Sequence, residues 1–252
     1  MRPLEDLRIV VTRAAHQAEE LAAPLRALGA EVILVPLIGI APPLNAERLH
    51  NAAARSNEYD WIIFTSANAV HAFAAQSAVP PQVWKPRIAA VGPATRQAAE
   101  ERGLRVDLTP SKYVAESLLQ ALSGEDLNNR RVLIPSAAVT RDLVADELRK
   151  RGAQVEVVEA YRNVIPPEAA DKAAAVFREP YPDWVLFASS SVVDNLIRLI
   201  GVERLRRTKI AAIGPITSKT ALDHGLVVTA QAELHTAQGL IDALCQAAYM
   251  QR

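Results

Sequence analysis

Residues 88–122 return at 210–244. The two stretches, IAAVGPATRQAAEERGLRVDLTPSKYVAESLLQAL and IAAIGPITSKTALDHGLVVTAQAELHTAQGLIDAL, align without a gap, with 14 identities in 35 positions at an offset of 122. Upstream, DWIIFTSANAV (60–70) returns as DWVLFASSSVV (183–193) at an offset of 123. LRIVVTR, a helical pattern and LGAEVILV return as RRVLIPS, a helical pattern and RGAQVEVV. A period this long covers half of the chain, which predicts two related domains rather than a solenoid. Two similar lobes imply a cleft, and a cleft is where a ligand is expected.

A chain of 252 residues at 50% apolar composition can bury one large core or two ordinary ones, and the duplication favours two. Charged residues make up 22% and cancel to a formal net charge of zero, without a lysine- or arginine-rich block. Nucleic acid and membrane surfaces are therefore not expected partners. No apolar run approaches the roughly 20 residues that span a bilayer. The opening MRPLEDLRIVV has acids and a short strand pattern instead of a signal-peptide core, and Cys245 is the only cysteine. The expectation is a reducing, cytoplasmic setting.

Strand patterns lie at 8–12, 31–36, 60–65, 87–91, 131–135, 154–158, 183–188 and 209–213, with shorter runs near 105–108 and 227–229. Ala/Leu-rich helical patterns alternate with them, at 18–28, 94–102, 143–151 and 218–224, and a glycine follows each as a helix stop. This alternation predicts α/β architecture, a parallel sheet covered on both faces in each lobe. Two connectors break the rhythm at matching places, each with a Pro-Pro pair, at 42–43 and 166–167. Diproline resists helix and favours extended chain. If 37–45 and 159–167 run side by side as a paired linker or hinge, one lobe is 46–158 and the other combines 1–36 with 168–252. A tandem split near residue 125 is the alternative that periodicity leaves open.

Parallel sheets bind ligands beyond the carboxyl ends of their strands. The residues there are Thr12 and Arg13; Ser66, Ala67 and Asn68; Gly92-Pro93-Ala94-Thr95; Ser136; Ser189, Ser190 and Ser191; and Gly214-Pro215-Ile216-Thr217. Proline suits the first helical position, and the free N–H groups after it, with the threonine hydroxyl, can hold a carboxylate or phosphate. The same residues also serve as plain helix caps, and duplication copies caps too. Arg13 follows a strand directly and reads equally as a ligand contact or a solvated surface charge, while Arg141 stands near a helix start, where the surface reading is the better one.

The chain lacks Gly-x-Gly-x-x-Gly after its first strand, the P-loop pattern and a Gly-x-Ser-x-Gly elbow. Its histidines, at 16, 50, 71, 224 and 235, have no metal-ligand spacing. An enzyme built this way is expected to use no cofactor and no metal.

VVTR followed by a helix and LGAEV, then DWIIFTSANAV, IAAVGPAT, VVEAYR, FASSS and IAAIGPIT, resemble in order and spacing the uroporphyrinogen-III synthases, over essentially the whole chain. Ala14 and Ala188 depart from residues common in that family, proline and threonine. The resemblance implies two flavodoxin-like lobes joined by a two-stranded linker, in a cofactor-independent monomer. It implies cyclisation of the linear tetrapyrrole hydroxymethylbilane to uroporphyrinogen III, with loss of water and inversion of ring D. The enzyme that forms hydroxymethylbilane would be a partner. Tyr161 matches the tyrosine of the family's YR/YxT segment and would donate to the departing hydroxyl. Thr12, Arg13, Ser66, Ala67, Asn68, Thr95, Arg141, Ser189, Ser190, Ser191 and Thr217 would line the substrate site. The competing reading is a non-catalytic two-lobed sensor for a small polyanion.

Overall fold

The structure, a computed structural model, describes residues 2–80, 83–112, 114–137 and 143–250. The chain opens with β1 (Arg8–Val11), α1 (Ala15–Ala27) and β2 (Glu31–Leu34), followed by a short strand, β3 (Gly39–Ala41). Next come α2 (Ala46–Ala54), β4 (Trp61–Phe64), α3 (Ala67–Gln76), β5 (Arg87–Ala90), α4 (Pro93–Glu101) and α5 (Ala115–Ala121). β6 (Arg131–Ala137), α6 (Leu143–Lys150) and the long β7 (Gln154–Val164) complete this middle stretch. The chain ends with α7 (Ala169–Val176), β8 (Trp184–Phe187), α8 (Ser190–Ile200), α9 (Val202–Leu205), β9 (Lys209–Ala212), α10 (Pro215–Asp223), β10 (Val228–Gln231) and α11 (Ala237–Tyr249).

These elements form two compact units. Unit 1 combines Met1–Gly39 with Val164–Arg252, and unit 2 is Ile40–Asn163. Unit 1 has the sheet order β10-β9-β8-β1-β2, and unit 2 has β3-β7-β6-β4-β5. Counted along its own chain, unit 1 runs 5-4-3-1-2, the flavodoxin-like order. The strands from β1 to β10 in unit 1, and from β7 to β5 in unit 2, pair in parallel.

Parallel strands are buried on both faces, so they need continuous apolar runs rather than alternation. β1 (RIVV), β4 (WIIF) and β8 (WVLF) meet that need, and β4 and β8 are buried throughout. Each sheet has an apolar cluster on either face. In unit 1, Leu21, Leu25, Leu240 and Leu244 cover one side and Phe177, Val193 and Leu196 the other. In unit 2, Leu49, Val70 and Phe73 cover one side and Leu118, Val144 and Leu148 the other. Gly152 ends α6 with φ +86, and an added Cβ would sit 2.6 Å from Asn128 Oδ1, so conformation and space both demand glycine.

Two strand expectations need correction. The run at 105–108 is no strand: it meets the sheet through an isolated bridge from Leu108 to Ala89 and through backbone hydrogen bonds of Asp107 and Leu108 with Ile88 and Ala90. There Asp107 Oδ2 accepts the Ile88 N–H at 2.9 Å, taking a donor that a neighbouring strand would use. The strand expected at 154–158 continues to Val164, and β3 falls inside the first connector, so each Pro-Pro pair follows ladder-forming chain. Among the described residues, no helix is long and apolar enough to cross a membrane.

Candidate functional site

Strand order reverses between β1 and β8 in unit 1 and between β6 and β4 in unit 2. Those switch points leave a crevice at the carboxyl ends of the strands, where this class of fold takes its ligands.

In unit 2, β4 leads through Thr65 into Ser66, the N-cap of α3, whose Oγ accepts the Ala69 N–H at 3.2 Å. β7 lies beyond β6, and a register shift at Ser136/Ala137 sets Tyr161 opposite Ala137. From there the Tyr161 hydroxyl reaches Ser66 Oγ at 3.1 Å, with the residue only 8% exposed. Two hydroxyls 95 positions apart thus meet at a helix N-terminus. Ala67 and Asn68 open α3 and are half-buried.

Thr95 is the third residue of α4, after Gly92 and Pro93, and it is 4% exposed. No side chain caps α4, and the Thr95 hydroxyl has no hydrogen-bond partner among the described residues. Arg141 lies outside the described residues.

In unit 1, Thr217 repeats this arrangement on α10, 4% exposed and without a partner among the described residues. Gly214 ahead of it is extended at φ 176, so its reason is space: a Cβ there would lie 2.9 Å from His235 Cδ2. Ser189 precedes α8 without capping it, and its Oγ lies 3.1 Å from Ser191 Oγ. Ser190 is half-buried and Ser191 exposed. Arg13 is tethered to its own helix, with Nη1 2.7 Å from Glu20 Oε2 and Nε donating to Gln17 Oε1 at 3.3 Å. Thr12 has no exposed surface, and its Oγ1 donates to the Leu186 carbonyl at 2.7 Å.

The first turn of a helix has N–H groups without intrahelical acceptors. α2, α3 and α11 satisfy one with a side chain, from Asn45, Ser66 and Thr236. α4, α8 and α10 do not. All three begin just past a strand's carboxyl end, so their free donors and positive helix ends suit carboxylates or phosphates. Sequence reading missed Glu159 and Arg162, two of the charged residues of β7. Glu159 Oε1 accepts the Leu44 N–H at 3.0 Å, and Arg162 Nε donates to the Pro42 carbonyl at 3.1 Å, holding the two connectors together.

The opposite strand ends differ in character. Beside β4 and β7, Tyr59 is 4% exposed and donates to Glu156 Oε2 at 2.7 Å. Burial, then the hydrogen bond and charge of Glu156, push its phenol well above the ordinary value of 10.0. In unit 1, a cavity of about 400 Å³ opens at the amino ends of β9 and β10, lined by Arg206, Arg207, Thr208, Lys209 and Val227 among others. It lies away from the helix starts. Among the described residues, no three His, Cys, Asp or Glu side chains are grouped to hold a metal ion.

A family model described as uroporphyrinogen-III synthase HemD matches residues 19–242. The uroporphyrinogen-III synthase of Synechococcus elongatus is 34% identical, over 97% of this chain and 97% of its own. Among solved structures, a mutant uroporphyrinogen III synthase of Thermus thermophilus aligns with TM-score 0.63 at 18% identity, covering 98% of this chain and 100% of that one. A uroporphyrinogen-III synthetase of Helicobacter pylori aligns with TM-score 0.63 at 15% identity, over the same shares. At such identities the structural likeness speaks for the fold, while the family match and the sequence relative speak for descent. The chain belongs to the uroporphyrinogen-III synthase family, lyase-type enzymes of tetrapyrrole biosynthesis.

Proposed function

We propose that the protein cyclises hydroxymethylbilane to uroporphyrinogen III, with loss of water and inversion of ring D. The observation that carries this reading is the contact of Tyr161 and Ser66, which holds a phenol at a sheet's carboxyl edge. In the first step the phenol gives its proton to the departing hydroxyl. The C–O bond breaks, its electron pair leaves with the water, and the pyrrole nitrogen's lone pair fills the vacated carbon to give an azafulvene cation. Ring D attacks that carbon through its already substituted α-position, giving a spiro intermediate that fragments and recloses. The proton lost as the last pyrrole regains aromaticity restores the phenol. The pyrroles supply all the electrons.

The substrate's eight carboxylates match the uncapped helix starts. Unit 2 offers α4 with Thr95, and also the opening turn of α3, where Ser66 caps the Ala69 N–H but the Ala67 and Asn68 N–H groups have no partner among the described residues. Unit 1 offers α8 with Ser189, Ser190 and Ser191, and α10 with Thr217. Confinement is as much a part of catalysis as proton transfer, because the free substrate closes unaided to the uninverted isomer. The test is incubation with freshly made hydroxymethylbilane and separation of the product isomers. Isomer III in excess is expected; isomer I alone, at the uncatalysed rate, overturns the proposal.

A further inference from the structure

Resting on that reading, we infer that Ser66 is a positioning residue that sets the direction of the Tyr161 hydroxyl, leaving the phenol's proton free for the substrate. The contact can run either way, since each oxygen carries one proton and two lone pairs. If Tyr161 donated to Ser66, its proton would be occupied. The surroundings of Ser66 favour the other direction. Its Oγ already accepts the Ala69 N–H at 3.2 Å, and a hydroxyl that accepts one hydrogen bond becomes a better donor for the next. The chain of donation then runs from Ala69 N–H to Ser66 Oγ–H to the Tyr161 oxygen. It ends on the atom that becomes negative when the proton leaves, beside the positive end of a ten-residue helix.

The duplicate half provides a comparison within the same molecule. The offset of 123 relates Ser66 to Ser189 and Tyr161 to Ile38. Ser189 caps no N–H of its helix and turns to Ser191 instead. Where the phenol is absent, the serine's arrangement is absent too. The capping serine and the phenol thus occur together in unit 2, and both the cap and the phenol are missing at the matching places of unit 1.

Three variants and one label test this. Ser66→Gly removes the hydroxyl but keeps a residue well tolerated at an N-cap; Ser66→Thr keeps the hydroxyl; Tyr161→Phe removes the phenol. Ser66→Gly is expected to lower kcat for isomer III roughly tenfold, as for loss of a hydrogen bond to a charged oxygen, with KM unchanged. Ser66→Thr should restore the rate, and Ser66→Gly in the Tyr161→Phe background should cost nothing further. With tyrosine labelled at 13Cζ, the signal missing from Tyr161→Phe should move in Ser66→Gly and stay in place in Ser66→Thr. A slow Tyr161→Phe combined with a full-rate Ser66→Gly, or with losses that multiply in the double variant, overturns the role of Ser66 alone. So does a 13Cζ signal unmoved in Ser66→Gly. A Tyr161→Phe enzyme at the wild-type rate overturns the acid role of Tyr161 and this inference with it.

Discussion

Thr12 Oγ1 donates to the Leu186 carbonyl at 2.7 Å, tying β1 to β8 where the strand order of unit 1 reverses. The hydroxyl is sealed from solvent, so it acts on the sheet. Thr12→Val keeps the shape and leaves the carbonyl unpaired, and it should lower unfolding free energy by about 1–2 kcal/mol. Thr12→Ser should stay near wild type. Denaturant unfolding beside product titration checks this: a Thr12→Val protein of full stability that fails to bind product would make Thr12 a ligand contact.

Thr95 and Thr217 should behave in the opposite way. Neither hydroxyl has a partner among the described residues, so replacing it with valine gives up no internal hydrogen bond. The melting temperature should hold, while product affinity drops by about 1.5–3 kcal/mol, the usual worth of a hydrogen bond to a carboxylate. Calorimetric titration of the two variants distinguishes this from a cap, whose loss would cost stability instead.

Tyr161→Phe should slow isomer III formation at unchanged product affinity, because the phenol is assigned a transition-state role. General acids contribute about 10²–10⁴-fold, and water can stand in, so a loss near the lower end is expected. Single-turnover kinetics with isomer analysis gives the number. Weaker product binding at full turnover would mean that Tyr161 only positions the substrate.

Tyr59 makes stability depend on alkaline pH. Its raised value means that the folded state holds the phenolic proton more tightly than the unfolded chain does. That contribution is complete below pH 10 and is lost as pH rises from there toward the folded value. Tyr59→Phe, lacking both the ionisable group and the bond to Glu156, should be about 1.5 kcal/mol less stable at pH 7. The gap to wild type should narrow by about 1 kcal/mol between pH 10 and 11, measured by urea unfolding. A gap that stays constant would show no such coupling.

Most strands were legible because buried parallel strands are short apolar runs, and the repeat shows each run twice. The failure at 105–108 is instructive for the same reason. Its counterpart is β10, where Thr229 stands in place of Asp107, and one carboxylate that takes the Ile88 N–H separates a strand from a bridge. The connectors read as extended, but extension becomes a strand only with a partner, and the contacts of Glu159 and Arg162 across to 42–44 have no local signature. The residues at strand ends could be listed from sequence; their division of labour could not. Thr12 and Thr95 both look like hydroxyls after a strand, yet one bonds backbone and the other has no partner among the described residues. The meeting of Ser66 and Tyr161 depends on a bulge in β6 and β7 that sequence periodicity does not encode.

The discontinuity of unit 1 has a consequence for the nascent chain. Ile9 leaves the ribosome well ahead of its β8 neighbour, Trp184. At roughly 5–20 residues per second, that neighbour arrives about 9–35 s later. Unit 2 is one continuous stretch and can close its core in the meantime. β1, wholly apolar but for Arg8, waits with β2 on one side and an open edge on the other. Such an edge is a template for another chain. Crowded polysomes should thus be the setting in which this protein is most prone to aggregate, and a message truncated just before the codon for Trp184 should yield chains that need chaperone capture although unit 2 of each is complete.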